Sequence, residues 1–471
     1  MTSSSRRAVP SRDRKEFTGA PYPSETGADA GGFAVAMKLP AAVASLKHRD
    51  FRLIWFGQFV STLGTQVQTV ALAWLVYSIT GSAAALGVVG LARAIPTILL
   101  SLFGGTLADQ VDRRRLLILS QSILAAFSAL LAISVSLGLT NLVLLYGFAA
   151  ITAAASAFDT PTRQAIIPAL VPRGHLANAL TVNVLAYNTA AVAGPAIGGI
   201  VLGAFGASAS FWIDGASFIA VVAALLAMRE RPAIPAPARR GLPALVDGLQ
   251  FLKERSILWQ LMVVDFLAMF FASSLGLLPV FAKTVFSAGP RELGYLYSAP
   301  SVGSVLGAAL FAMIPLPRFP GRVVALAIGA YGLSLALFGL SSQFVVALVL
   351  LASAGMLDSV SMATRQTVRQ LATPNEFRGR IGAVSSMFSA GGPRLGDFQS
   401  GLVASAIGPR GAMVLGGGAC FVMAMSSVVW ARRLWSYRGE EEIVSSASRP
   451  LLSNDLREGP GQPVSESTRV D

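Results

Sequence analysis

The sequence predicts an all-α integral membrane protein with twelve transmembrane helices in two pseudo-symmetric six-helix bundles. Composition is the first observation, because 54% of the 471 residues are hydrophobic, only 13% are charged, and the mean hydropathy is +0.62. A water-soluble protein of this length carries far more charge. The second observation is that apolar runs of about 20 residues, long enough to cross a bilayer as helices, recur from Phe51 to Arg433.

An internal repeat is the third observation. The triplet Thr-Arg-Gln occurs at 162–164 and again at 364–366, and Gly-Pro-x-x-Gly occurs at 194–198 and again at 392–396. Two apolar halves that echo each other predict a duplicated helical bundle. Many secondary transporters place a substrate site between two such halves and expose it alternately to each side of the membrane.

The spans divide into two bundles of six. We predict an N-terminal bundle at 46–230, a C-terminal bundle at 256–436, and a proline-rich cytoplasmic linker at 231–255. The twelve spans begin near Phe51, Ser82, Leu116, Asn141, Ala177, Ser208, Ile257, Leu293, Val323, Phe344, Ile381 and Gly411.

Basic residues set the expected orientation. In the predicted topology, Lys and Arg gather on one side of the membrane, and the positive-inside rule makes that side cytoplasmic. The clusters are Lys47/Arg49/Arg52, 113–115, Arg163/Arg173, 229–255, Arg318/Arg322, 365–380 and Arg432/Arg433. Residues 1–45 and 437–471 are polar, so we expect disordered cytoplasmic tails at both ends. The expected location is the cytoplasmic (inner) membrane, crossed several times, with both termini inside.

Several function classes are excluded by what the sequence lacks. The net charge of +13 is dispersed between apolar spans, which is not the pattern of a nucleic-acid-binding protein. The single cysteine, Cys420, provides neither a disulfide framework nor a cysteine metal site. His48 and His175 fall in loops and no Walker loop is present. We therefore expect no catalytic residue, no cofactor and no metal.

The segment between spans 2 and 3 reads Gly-Gly-Thr-Leu-Ala-Asp-Gln-Val-Asp-Arg-Arg-Arg over residues 104–115. This resembles the signature loop of the major facilitator superfamily, and Asp112, where glycine is common, resembles the branch of enterobactin exporters and related transmembrane secretion effectors. In this loop, Asp109 can accept from a helix N-terminus or an arginine while the arginines hold the opposing bundle. The predicted latch comprises Gly105, Asp109, Asp112, Arg113 and Arg114. The alternative is an ordinary positive-inside loop.

The stretch after span 4 supports the same branch. Phe158-Asp159-x-Pro161-x-Arg163-Gln164 is similar to the connection typical of these exporters, and the resemblance covers about residues 46–436. The arginine that the superfamily often places in helix 4 is missing from 141–158, which contains no basic residue.

Span 5 contains a further motif of small residues. Gly194-Pro195-x-x-Gly198-Gly199 resembles the superfamily's antiporter motif, which is associated with export. Glycines on nearby faces let a partner helix approach closely, and a proline kinks the span. The alternative is generic glycine packing. The second half repeats the motif but has Asp397 in place of the final glycine.

Charges inside spans are costly and are therefore functional candidates, and there are five: Arg93, Asp265, Asp358, Arg394 and Asp397. Arg93 and Asp397 lie at overlapping depths, and the resemblance places helices 2 and 11 face to face. We therefore predict an Arg93–Asp397 contact that changes between inward and outward states, with a static pair as the alternative, since Arg394 could satisfy Asp397 within its own helix. Asp265 is the preferred proton carrier, because helix 7 lines the central cavity in this fold. It could equally be a structural acid or a neutraliser of Arg93.

The cargo is expected to be a small amphiphilic molecule, resembling a drug or siderophore, that is exported by alternating access with proton antiport. The residues expected to bind it are Gln66, Asn183, Asn188, Phe270 and Phe271. The expected partners are this small molecule, protons and the lipid bilayer, with no nucleic acid, and the chain is expected to act as a monomer. Alternatives are an importer or symporter, a lysolipid flippase, and a membrane sensor that does not transport.

Overall fold

The computed structural model describes residues 44–229, 250, 252, 256–273, 275–314, 317–373 and 377–437, without the side chains of 101–110, 378–380 and 383. The predicted tails, 1–45 and 437–471, and the linker 231–255 lie almost entirely outside the described residues. The division of the chain into tails, bundles and linker therefore stays a prediction.

Among the described residues, ten helices are long and apolar enough to cross a membrane. Two of them are twice the usual length and count as two legs each. The helices are α1 Arg49–Thr80, α2 Ala83–Gln110, α3 Arg113–Ser136, α4 Leu142–Ile166, α5 and α6 within Leu176–Ala227, α7 Ser256–Phe271, α8 Pro290–Met313, α9 Pro320–Leu340, α10 Phe344–Ala372, and α11 and α12 within Arg378–Trp430.

The two long helices are each broken at a glycine. Leu176–Ala227 has 52 residues and Arg378–Trp430 has 53, whereas about 20 residues cross a bilayer. Gly206 has φ 78° and Gly408 has φ 81°, in the region that favours glycine, so the chain reverses there. The legs are α5 at 176–205, α6 at 207–227, α11 at 378–407 and α12 at 409–430. The predicted all-α membrane class is confirmed, and the twelve legs agree with the predicted twelve spans.

Shorter elements connect these helices. Most notable is the break after α7, where the chain passes through a 3₁₀ turn, a single α turn and a π turn before α8 begins. The short elements are 3₁₀ turns at Ala44–Lys47, Ile167–Ala169, Arg173–His175 and Leu275–Leu277, the α turns Leu278–Val280 and Arg432–Ser436, and the π turn Phe281–Val285.

The helices pack as two halves joined by two crossings. In the first half α1 and α3 pack against the α5–α6 hairpin, and α2 and α3 pack against α4. In the second half α8 packs against α10, α9 packs against α10 and the α11–α12 hairpin, and α7 packs against that same hairpin. Between the halves, α2 crosses α11 and α5 crosses α8.

The assembly has two ends, which we name from their residues. The basic face is the end that carries Arg113, Arg173 and Arg433, and the opposite face carries Gly81, Gly206 and Gly408. Contacts between the halves include several near the opposite face. One is a hydrogen bond of 2.9 Å from Lys283 Nζ in the second half to Ser78 Oγ in the first.

Candidate functional site

The crossing of α5 and α8 is a contact of backbone on backbone. A Cβ added to Gly199 would lie 2.6 Å from the Pro290 carbonyl oxygen and 2.9 Å from Gly294 Cα, so no larger residue fits without movement. Gly198 faces α1 in its own half, where a Cβ would lie 2.8 Å from Val67 Cα. Gly194 likewise packs against Gln66 of α1. The predicted motif therefore divides its glycines between packing within the first half and packing between the halves.

The crossing of α2 and α11 is its counterpart but carries charge. A Cβ on Gly90 would lie 2.8 Å from the Arg394 carbonyl oxygen and 2.9 Å from Asp397 Cβ. In the repeat, Asp397 stands where Gly199 stands in the first half. One crossing is thus built from glycine and small residues, and the other includes a carboxylate.

Polar groups from the break after α7 hold Asp397. Its carboxylate accepts hydrogen bonds from Ser273 Oγ and, at 3.2 Å, from the Gly276 backbone N–H. Arg93 is close enough for electrostatic attraction to Asp397, but no direct ion pair joins these two described residues. Arg394 donates from Nη1 to the Ala390 carbonyl of its own helix at 3.1 Å. The predicted state-dependent Arg93–Asp397 contact stays a prediction.

A cavity of about 240 Å³ lies between the halves at this crossing. The Tyr297 hydroxyl on its wall donates to the Leu275 carbonyl at 3.0 Å. Residues of both halves line it, including Gln66, Arg93, Pro195, Tyr297, Arg394 and Asp397.

A larger cavity of about 600 Å³ belongs mainly to the first half. It extends from Arg93 and Arg394 towards the basic face, as far as Gln164 and Ile167 at the end of α4. More than half of the side chains on its wall carry a hydroxyl or amide group, namely Gln58, Ser61, Thr62, Thr65, Gln68, Thr69, Thr152, Ser156, Thr160, Gln164, Asn183 and Tyr187. The two cavities share Thr69, Arg93 and Arg394.

The predicted substrate-binding residues are spread over different environments. Asn183 lines the larger cavity and Gln66 the smaller one, whereas Asn188 lines neither. Phe270 and Phe271 also line neither cavity; their rings pack edge to face with each other, and their backbone carbonyl oxygens lie against glycines of α11 and α12. Binding roles for these five residues stay predictions.

Asp265 belongs to an ion cluster in the second half. It pairs with Arg365 Nη1 at 2.8 Å and accepts from Ser389 Oγ at 3.1 Å. The same guanidinium lies 3.6 Å from Asp358, and Arg369, one turn further along α10, contacts Ser385. The sequence predicts both aspartates as functional candidates but groups Arg365 with the cytoplasmic loop cations. The signal that could have found it is the repeated Thr-Arg-Gln triplet.

The first copy of that triplet places an arginine in a similar position. Arg163 pairs with Asp159, which also accepts from Gln121 Nε2 at 2.7 Å. Residues 141–158 contain no basic residue, as predicted, but α4 does not end near Phe158: it continues to Ile166 and includes Arg163. Arg163 also lines the larger cavity, so each half has an arginine paired with carboxylate inside its helices.

The loop between α2 and α3 ties parts of the first half together. Asp112 caps α3 by accepting from the backbone N–H groups of Arg114 at 2.9 Å and Arg115 at 3.3 Å. Arg113 donates to the Ala165 carbonyl at 2.9 Å, and Arg114 donates to the Leu226 carbonyl at 3.0 Å, both at helix C-termini. Gly105 lies on α2, but the structure does not describe the side chain of Asp109. The latch to the other half therefore stays a prediction.

Comparison with known proteins agrees with this architecture. The family profile described as transmembrane secretion effector matches residues 40–464. The multidrug efflux pump Tap of Mycolicibacterium fortuitum is 27% identical over 384 residues, which are 78% of this chain and 92% of Tap. The enterobactin exporter EntS of Shigella flexneri is 24% identical over 367 residues, which are 78% of this chain and 86% of EntS.

A solved structure shares the fold. The bacterial homologue of the human lysosomal transporter Spinster, in an inward-facing and unoccupied conformation, superposes with a TM-score of 0.66 at 17% identity, covering 82% of this chain and 97% of that one. The family profile covers most of the chain, and the duplicated six-helix halves fit it. The chain therefore belongs to the transmembrane secretion effector family of the major facilitator superfamily, whose members are transporters rather than enzymes.

Proposed function

We propose that this transporter exports a small amphiphilic molecule, of the drug or siderophore kind, across the cytoplasmic membrane by alternating access. The larger cavity carries this proposal, because its wall combines hydroxyl and amide groups with apolar surface, it is bounded by both halves at Arg93 and Arg394, and it extends towards the basic face. With that face in the cytoplasm, as the positive-inside rule requires, the cavity loads from inside the cell. Export is also what the names of Tap and EntS state of those proteins.

The two crossings supply the moving parts. Release to the outside requires α5 to separate from α8, and α2 from α11, near the opposite face. Glycine contacts are suited to this, because they give close packing without side chains that interlock. Gln66 and Asn183 supply hydrogen bonds to the bound molecule in the two cavities.

Proton antiport is proposed to use the Asp265 cluster. A proton on Asp265 removes its attraction for Arg365, and Asp358, already 3.6 Å from that guanidinium, takes over as partner. Arg365 therefore keeps a carboxylate partner throughout, so the rearrangement avoids the free-energy cost of an unpaired charge in a low-dielectric environment. Because Asp265 lies on α7, Arg365 on α10 and Ser389 on α11, the exchange alters contacts among three helices of the second half.

Asp265→Asn tests the proton step in proteoliposomes under an imposed pH gradient. We expect transport driven by the pH gradient to be lost, while movement of the substrate down its own concentration gradient continues. Glu292→Gln is the matched control, since that carboxylate caps α8 by accepting from the Gly289 N–H at 2.9 Å and lines neither cavity. Undiminished coupling in Asp265→Asn would remove Asp265 from the mechanism.

Cellular accumulation tests the direction of transport. A deletion strain and a complemented strain are grown against a panel of toxic amphiphiles, and intracellular drug is measured. Export lowers accumulation in the complemented strain. Raised accumulation would support an importer, movement of labelled lysolipid between leaflets would support a flippase, and no difference in any of these would support a sensor.

A further inference from the structure

Two arginines at the boundary of the halves carry charge that the protein does not balance locally. Among the residues that the structure describes, Arg93 of α2 and Arg394 of α11 are the only charged ones shared by the two cavities. Arg93 makes no hydrogen bond or ion pair through its side chain with any described residue, and Arg394 is satisfied only by the Ala390 carbonyl. Asp397 attracts both electrostatically, but its own hydrogen bonds go to Ser273 and Gly276.

The charges of the described residues on the cavity walls are positive in sum. Within that part of the chain, the walls contain three guanidiniums, of Arg93, Arg163 and Arg394, and two carboxylates, of Asp159 and Asp397. Arg163 and Asp159 neutralise each other as an ion pair at the end near the basic face. The excess positive charge therefore lies at the boundary of the halves. A guanidinium withdrawn from bulk water is costly unless an anion or strong acceptor joins it.

We infer that Arg93 and Arg394 form an anion-binding site, and that the exported amphiphile carries a carboxylate, phosphate, sulfonate or similar acidic group. This inference rests on the proposed function, because it names the chemical class of molecule that the same cavity takes. Guanidinium groups suit the site, since they present planar, bidentate donors to such groups. The hydroxyl and amide groups on the wall of the larger cavity accommodate the polar remainder of the molecule.

An anion at this site also acts on the crossing itself. Arg93 lies in the first half, and Arg394 and Asp397 lie in the second, so a bound anion competes with Asp397 for Arg93. The Arg394 carbonyl and Asp397 Cβ already abut Gly90 of α2. Cargo binding thereby changes the attraction between the halves at the place where they must separate.

Binding to the purified, full-length transporter in phosphatidylcholine nanodiscs tests the inference. Three probes share one bicyclic body: 2-naphthoate is anionic, 2-naphthamide is neutral and 2-naphthylmethylammonium is cationic. We expect naphthoate to bind at least about tenfold more tightly than the amide, because a charge-assisted hydrogen bond contributes roughly that much. The cationic probe should bind most weakly.

Substitutions assign the preference to the two arginines. Arg93→Gln or Arg394→Gln should erase the difference between naphthoate and naphthamide, and Arg93→Lys should keep part of it. Arg410→Gln is the control, because Arg410 is an exposed cation at the start of α12 that lines neither cavity. Thermal unfolding of each variant shows whether it remains folded.

Three results would overturn the inference: equal affinities for naphthoate and naphthamide, an unchanged preference in a folded Arg93→Gln protein, or no naphthoate binding up to millimolar concentration. Transport is assayed separately with the same preparation in proteoliposomes. Naphthoate binding without transport of any amphiphile contradicts the proposed export and leaves the anion site standing. Transport that ignores the charge of the molecule contradicts the anion site and leaves export standing.

Discussion

Adding one methyl group at the α5–α8 crossing should shift the balance between the two states of the transporter. In Gly199→Ala the new Cβ would lie 2.6 Å from the Pro290 carbonyl oxygen, whereas ordinary contacts begin at 3.4 Å, so α8 must retreat by about 0.8 Å. Overpacking of this kind costs about 1–3 kcal/mol. The cost falls only on the state in which the crossing is closed, so the closed fraction relative to the open one should fall by about 5- to 150-fold.

Electron-spin distance measurements across the opposite face provide the assay. Spin labels on Leu139→Cys and Leu340→Cys, both well exposed at that face, report the separation of the halves. The native Cys420 is buried, so it should not compete for the label. We expect a longer-distance population to appear or grow in Gly199→Ala. An unchanged distance distribution would refute the claim that this crossing must open.

Two glycine controls separate conformational balance from folding. Gly147→Ala on α4 meets nothing within 4 Å, so it should leave the distance distribution unchanged and should not lower thermal stability. Gly198→Ala would press on Val67 Cα, 2.8 Å away in the same half, so it should lower thermal stability without favouring the open state. A distance shift in Gly198→Ala equal to that of Gly199→Ala would contradict the assignment of Gly198 to packing within the first half and of Gly199 to packing between the halves.

Three further substitutions test the internal bonding, each by thermal unfolding in one detergent. Arg365→Gln leaves the carboxylate of Asp265 without its 2.8 Å partner and should cost about 3–5 kcal/mol; a neutral result would show that the pair is not formed. Ser128→Ala removes the 2.6 Å hydrogen bond to the fully buried Asp214 and should cost about 1–3 kcal/mol, so an unchanged midpoint would count against it. Gly206→Ala forces a side chain to φ 78° and ψ 178°, a region almost restricted to glycine, and should cost about 1–3 kcal/mol; no loss of stability would show that the hairpin turn is formed differently.

The fold was accessible from sequence because it depends on one-dimensional signals. Apolar runs locate the spans, and the return of Gly-Pro-x-x-Gly at 392–396 identifies the second half. Gly206 and Gly408, where the long helices reverse, fall in the short gaps before the predicted starts at Ser208 and Gly411. Depth in the membrane could also be estimated, which is why Arg93 and Asp397 were expected at one level, and the structure places both on the wall of one cavity.

These signals do not show in which direction a side chain points around its helix axis, and so they do not show which residue it contacts. Arg365 was counted with the loop cations because it lies near other arginines in sequence, yet its place on α10 turns it towards Asp265, 100 positions earlier in the chain. Phe270 and Phe271 were expected on the cavity wall because helix 7 lines the cavity in this fold. In the structure neither ring lines a cavity, and only tertiary geometry shows which face of α7 is turned inward.

Uptake into everted membrane vesicles tests the export claim most directly. With the basic face cytoplasmic, as proposed, that face is outside in these vesicles, so the cavity loads from the added substrate, and an acidified interior supplies the proton gradient. Export by proton antiport predicts that a fluorescent amphiphile accumulates inside everted vesicles and leaves when a protonophore is added. Accumulation only in right-side-out vesicles, or in neither orientation, would contradict the account.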